Sequence, residues 1–239
     1  MASSTEGQRD GHLPPDLTAA QGAGAPTAAT GRVHGAAPSH AGVAIPAPRH
    51  DDALALLEQR RSLPLRSLVA PGPSPEELTR LLAIAARVPD HGRLAPWRFI
   101  VLAGAARAEA GDRLDALYLT QNPDLPAAKA DMWRLYLLRA PITVVLVSRP
   151  DPTAKVPVFN QILSAGAAGM ALVTAATAMG YAAQWLLKWP GRDPAAAALL
   201  GVGVGEQVAG FIHLGSPAER VDDRARPDLA SLVTYWRGD

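Results

Sequence analysis

The order of helix and strand patterns along this 239-residue chain predicts an α+β domain built on a layered, mixed sheet. Three observations carry that expectation. The strand-like segments do not alternate one for one with helical patterns, which argues against a Rossmann architecture. Residues 142–147 are a short apolar run rich in β-branched side chains, the pattern of a strand buried on both faces. Residues 159–179 read as one long helix of small and apolar residues, in which Ser164, Ala165, Gly166, Ala167, Ala168 and Gly169 allow another backbone to come close. That closeness suits a dimer helix, a cofactor neighbour or packing inside one subunit.

The elements follow in order. Residues 1–49 are rich in Ala, Gly, Pro, Ser and Thr and show no apolar periodicity. Such a segment buries too little surface to offset the entropy of ordering, so it is expected to be a disordered tail. Glu6, Asp10 and Asp16 break the acid-poor pattern of a transit peptide, and no secretory signal is expected. The folded domain is expected over residues 50–239. Asp51 or Asp52 is expected to cap a first helix carrying Leu54, Leu56 and Leu57, which runs into Arg60, Arg61 and Ser62 before Pro64 ends it. A proline-rich link at 70–73 precedes a second helix. Ser74 is its N-cap, Pro75 its first residue, and Glu77 completes a capping box. Residues 88–93 break that helix. Residues 96–102 read as a strand, 105–119 and 127–138 as helices, and 181–187 as another strand. Gly180 is expected at the end of the long helix, Asp193 and Pro194 at the start of a short one. Residues 207–214 read as the last core strand, and 216–239 as an extended arm.

Composition narrows the function. With 23 basic and 22 acidic residues the net charge is +1, which leaves no electrostatic footprint for nucleic acid or an anionic membrane. There are no cysteines, so disulfides, thiolate metal sites and cysteine nucleophiles are excluded. Residues 162–179 lack charge, but their Ala, Gly, Ser and Thr carry little transfer free energy; a buried helix is expected rather than a membrane span. A cytoplasmic protein is expected.

Several residues could carry chemistry. Arg60, Arg61 and Ser62 could hold a phosphate through charge-assisted bonds, or the two arginines could complement a helix dipole. Arg87 and His91 flank a Pro-Asp turn and could meet one ligand. His91 has no second histidine at metal-ligand spacing, so no metal site is expected, and Asp90 reads as a turn residue. Gly201, Gly203 and Gly205 lack the Lys-Ser/Thr of a P-loop and follow a helix, which favours a turn. Ser164 lacks the context of a hydrolase nucleophile.

Taken together the chain resembles the FMN-dependent nitroreductase family, specifically its YdjA-like branch. The matching pieces occur in order: Leu57 through Ser62, Glu77-Leu78, Ala86 through His91, Pro96-Trp97-Arg98-Phe99, Lys155-Val156-Pro157, Ser164-Ala165-Gly166, Ala175 through Gly180, Trp185, Gly210 through Pro217, and Leu232 through Tyr235. The resemblance implies a layered α/β/α sandwich with a mixed, mainly antiparallel sheet, forming a homodimer with FMN at the interface. It implies that Arg60, Arg61 and Ser62 hold the FMN phosphate and ribityl chain, that Arg87 and His91 reach FMN from the opposite subunit, and that Trp185, Leu186 and Leu187 lie along the flavin. Ala175, Ala176, Thr177, Ala178, Met179 and Gly180 would meet the nicotinamide nucleotide. Relatives carry Trp-Arg-Ser or Trp-Arg-Thr where this chain has Trp185-Leu186-Leu187, so an arginine and a hydroxyl are missing. Lys188, Arg224 and Arg226 are candidates to replace them, and Arg61, Arg66 and Arg87 are candidates by charge to stabilise reduced flavin. The implied activity is hydride transfer from NAD(P)H, through FMN, to a nitroaromatic, quinone or similar small acceptor. No protein nucleophile or catalytic acid is needed. A non-redox role in flavin binding or storage is the alternative.

Deletion of residues 2–48 is expected to leave folding and flavin content intact. Loss of soluble protein or of flavin from the shortened chain would show that the tail belongs to the fold.

Overall fold

The computed structural model describes residues 47–238, so the expectation for the N-terminal tail lies outside the described residues. The elements are α1 (Asp51–Gln59), β1 (Leu68–Val69), α2 (Pro75–Ala85), β2 (Trp97–Ala103), α3 (Ala106–Gln121), α4 (Met132–Leu138), β3 (Ile142–Ser148), α5 (Val158–Ala178), β4 (Ala182–Leu186), α6 (Pro194–Leu199) and β5 (Gln207–Pro217). One sheet runs β1-β5-β3-β2, with β4 also on β5. Every described pairing is antiparallel, so the expected α+β sandwich is found with no parallel pair among the described residues.

Strand alternation divides the core. On β3 and β5, Val144, Leu146, Ile212 and Leu214 face α2 and α5, where Leu81, Ala85, Ala165, Ala168, Leu172 and Ala176 cover them. Val145, Val147 and Phe211 face the other way, onto Leu114 of α3, Trp133 and Leu137 of α4, and Ala196 of α6. All seven residues of β3 are buried, as its apolar run demands. The long helix α5 is therefore one wall of this core rather than a free-standing apolar span. Gly169 lets the Trp185 ring of β4 sit directly on the α5 backbone, and Gly210 makes room for the same ring.

Local signals account for the helix ends. Ser74 accepts from Glu77 N at 3.2 Å and Glu77 Oε2 accepts from Ser74 N at 2.8 Å, the reciprocal capping box that the sequence indicates. The Tyr181 hydroxyl donates to the same Glu77 carboxylate at 2.6 Å, tying the start of α2 to the chain entering β4. α5 closes with Gly180 at φ 84°, Gly180 N bonded to Thr177 O at 3.0 Å and Tyr181 N to Ala176 O at 2.9 Å. This pair is the Schellman arrangement, which needs a left-handed residue. At α6, the Asp193 side chain accepts from Ala196 N.

Other elements differ from expectation. α1 is capped by His50 without a side-chain bond, and Asp51 and Asp52 sit in its first turn, where they suit the dipole. It stops at Gln59, so Arg60, Arg61 and Ser62 lie beyond the helix. The expected helix over 127–138 is a 3-10 turn followed by the shorter α4. β1, two residues long, was not visible in the sequence because its partners Ser216 and Pro217 are distant along the chain.

Thr143 and His213 form a fully buried pair on the α4 side of the sheet, with Oγ1 2.9 Å from Nδ1. Burial pushes the imidazole down to about 3 from 6.5. The fold therefore holds the ring neutral, whereas the unfolded chain protonates near its ordinary value. Stability from the neutral ring is complete above about pH 6.5 and declines as pH falls toward 3. The expected slope is up to about 1.4 kcal/mol per pH unit. Urea melts between pH 7 and 5 should show this slope in the parent chain and a shallower one in His213→Gln; equal slopes would assign the dependence elsewhere.

Candidate functional site

The turn that follows α1 opens a basic cavity. Arg60, the helix C-cap, takes extended backbone angles (φ −56°, ψ 129°) and carries the chain away from the helix axis. Arg60, Arg61 and Ser62 then line a cavity of about 380 Å³ together with Pro64, Gln184 of β4, and Val221, Arg224 and Arg226 of the arm after β5. Four guanidiniums thus converge from two segments far apart in sequence. Arg61 Nη1 and Arg226 Nη2 both donate to Asp223 Oδ1, at 2.8 and 2.7 Å, and the Arg224 backbone N–H donates to that oxygen at 2.8 Å. The Arg61 bond above all, then Arg226 and the backbone N–H, holds the Asp223 carboxyl far below the usual carboxylate range. Asp223 stays ionised through mild acid, and its link to the arginines is lost only as pH falls well below the ordinary aspartate value of 3.8.

Asp223 offsets one of the four positive charges. Arg60 Nε is buried and, among the described residues, has no hydrogen-bond partner. An unpaired donor of this kind is costly unless a ligand meets it. Guanidiniums are donors only, and their planar forks match phosphate oxygens. The wall therefore fits the phosphate of FMN, with Ser62 adding a hydroxyl. Arg60 is the C-cap of α1 and Arg61 follows it, so both also stand where cations complement the helix dipole.

A second cavity of about 380 Å³ shares Arg60, Arg61 and Val221 with the first and extends to Thr177, Gly180 and Tyr181. The end of α5 thus lies beside the arginine turn. A wider groove of about 1060 Å³ runs between α1, α2 and α5, lined by Leu57, Arg80, Ile84, Arg87, Met170, Thr174, Ala175, Ala178 and Met179 among others. The sequence-derived residues accordingly fall into neighbouring places. Arg60, Arg61 and Ser62 meet in the basic cavity, Thr177 and Gly180 in its neighbour, and Arg87, Ala175, Ala178 and Met179 in the groove. Ala176 is buried in the core. His91 is exposed on a 3-10 turn whose Asp90 carboxylate accepts from Leu94 N and Ala95 N at 3.1 and 2.8 Å, and it lines none of these spaces.

On β4, Trp185 turns toward α5 and donates Nε1–H to Ala209 O at 3.2 Å. Leu186 joins the core on the opposite face, and Leu187 is 38% exposed. Of the candidate replacements for the missing family arginine, Arg224 and Arg226 reach the basic cavity. Lys188 lines a separate hollow beside α4, and Arg66 another with Arg107 and Arg139. Sequence reasoning did not single out Gln184. Its position one residue before Trp185 was the available signal, but only the β4–β5 register shows that it shares a face with His213.

Comparison with known proteins agrees with the fold. The model of the nitroreductase family matches residues 57–216. YdjA of Escherichia coli strain K12, provisionally named an NAD(P)H nitroreductase, is 32% identical over 186 residues, covering 77% of this chain and 100% of YdjA. A nitroreductase-like family protein from Bacillus cereus superposes with TM-score 0.69 at 18% identity, covering 82% of this chain and 100% of the other. A nitroreductase with bound FMN from Bacteroides fragilis NCTC 9343 superposes with TM-score 0.57 at 20% identity, covering 78% and 99%. The fold, the ordered motifs and the match across most of the domain lead to one conclusion: this chain belongs to the nitroreductase family.

Proposed function

We propose that this chain is an FMN-dependent oxidoreductase that takes hydride from NAD(P)H and delivers it to a nitroaromatic, quinone or similar small acceptor. The observation that carries the reading is the basic cavity, with four arginines and the buried, partnerless Nε of Arg60. Bound FMN supplies the hydride chemistry; the chain supplies position and charge. Arg60, Arg61 and Ser62 hold the phosphate. Arg224 and Arg226 add positive charge from the arm in place of the arginine absent at Leu186. Thr177 and Gly180 border the adjoining cavity where the nicotinamide nucleotide would enter. The provisional name of YdjA supports NAD(P)H as donor, and the FMN in the Bacteroides fragilis structure supports the flavin.

The reading includes a homodimer. α5 leaves Phe159, Leu163 and Met170 exposed at 68%, 57% and 41%, at helical spacing along one side. Leu54 and Leu57 of α1 stand open at 45% and 54%. A second copy covering this apolar surface would remove it from water and enclose the groove lined by Arg87. Light scattering of the flavin-loaded protein is expected to give the mass of two chains; a monomer with full flavin content would contradict the dimer.

The purified protein is expected to be yellow, and NAD(P)H to bleach it anaerobically. Retained colour under NAD(P)H would favour flavin storage over redox function. Arg60→Ala and Arg61→Ala test the phosphate role. Losing one charge-assisted contact of about 1.5–3 kcal/mol should weaken FMN binding by roughly one to two orders of magnitude. Apo-protein stability in urea should change little in the affected variant. Parent-like FMN affinity in both variants would overturn the phosphate assignment.

A further inference from the structure

The basic cavity has one neutral amide among its charged walls. Gln184 lies on β4 opposite His213 of β5, on the sheet face that also carries Thr143. Its Oε1 is buried and has no hydrogen-bond partner among the described residues. His213 Nε2 and the Tyr136 hydroxyl on this side of the sheet are also buried without partners among the described residues. Of these three residues, Gln184 alone lines the arginine cavity.

The chemistry of the walls is lopsided. Guanidiniums only donate, so they match phosphate oxygens, which at neutral pH mainly accept. Gln184 Oε1 only accepts. A phosphate dianion alone has nothing to offer it. A ligand that satisfies both needs a phosphate for Arg60, Arg61, Arg224 and Arg226 and a hydroxyl a few bonds away for the amide. That combination is a phosphorylated polyol.

We propose that Gln184 is a ligand-binding residue whose amide oxygen accepts a hydroxyl of the polyol chain of a phosphorylated ligand. This rests on the FMN reading above, in which the hydroxyl is one of the ribityl hydroxyls. The role gives an unusual pairing of effects. Replacing an unsatisfied buried acceptor with an apolar group of similar shape does not harm the free protein, and removes a desolvated group from its core. It nevertheless deletes a bond to the ligand. Stability and affinity therefore move in opposite directions.

The test uses Gln184→Met, with Gln184→Glu as the variant that keeps an acceptor oxygen. Apo-protein is titrated with FMN and riboflavin by fluorescence quenching, and with inorganic phosphate and ribose 5-phosphate by calorimetry. Gln184→Met should bind FMN and riboflavin about tenfold more weakly, bind inorganic phosphate as the parent does, and melt in urea at an equal or higher midpoint. Gln184→Glu should retain riboflavin affinity, because riboflavin carries no phosphate to be repelled. Unchanged flavin affinity in Gln184→Met would overturn the proposal. So would an equal loss of inorganic phosphate binding or a lowered urea midpoint, since either marks a structural role. If the parent binds no flavin, the FMN reading fails by itself. The Gln184 assignment then stands if Gln184→Met weakens ribose 5-phosphate but not inorganic phosphate, and falls if both bind as in the parent.

Discussion

β5 is the constraint on which the rest of the molecule depends. Its backbone is shared along both edges: β3 on one side, and β4 followed by β1 on the other. Because β1 and β4 occupy successive stretches of the same edge, the loop after α1 is brought beside the middle of the sheet. The arm leaving β5 then has only a short distance to travel before Asp223 meets Arg61. A one-residue slip of β5 would turn Phe211 and His213 to the wrong face and carry Ile212 and Leu214 with them. It would also remove Gln184 from its present neighbours. The basic cavity is in this sense a product of strand register rather than of any local motif.

The electrostatics of the cavity follow from that placement. Guanidiniums that converge repel one another unless an anion lies between them. In the free chain Asp223 serves Arg61 and Arg226 with one oxygen, using one donor from each. Each arginine keeps donors for a ligand. Among the described residues Arg60 has no such partner, which distinguishes it from its neighbour Arg61 although the two are adjacent in sequence. The pair was read in the sequence as one unit; the fold gives its members different circumstances.

What could be read in the sequence was what depends on neighbours along the chain. The capping box of α2, the left-handed Gly180, the Asp193 cap and the buried run of β3 are all short-range patterns, and they appear where expected. The ordered family pieces identified the fold and the arginine turn. Long-range facts were out of reach. The all-antiparallel pairing and the two-residue β1 depend on partners separated by much of the chain. The Arg61–Asp223 link joins residues 162 positions apart. The unmet acceptor of Gln184 is a property of burial, which no spacing rule reports. Even α1, whose leucines resemble a core stripe, has no buried residue in the free chain.

The division of the basic cavity between residues 60–62 and 221–226 also sets a timetable. A chain emerging from the ribosome presents the α1 turn early, but β4 with Gln184 appears much later, and β5 and the arm later still. Leu63, just after the α1 turn, packs with Ala182 of β4, but until Arg224 and Arg226 arrive, two of the four charges of the cavity are missing. A nascent chain can therefore display only half a binding surface. On the proposed assignment, loading of the phosphorylated ligand is a late event in biosynthesis, coupled to the closing of the sheet.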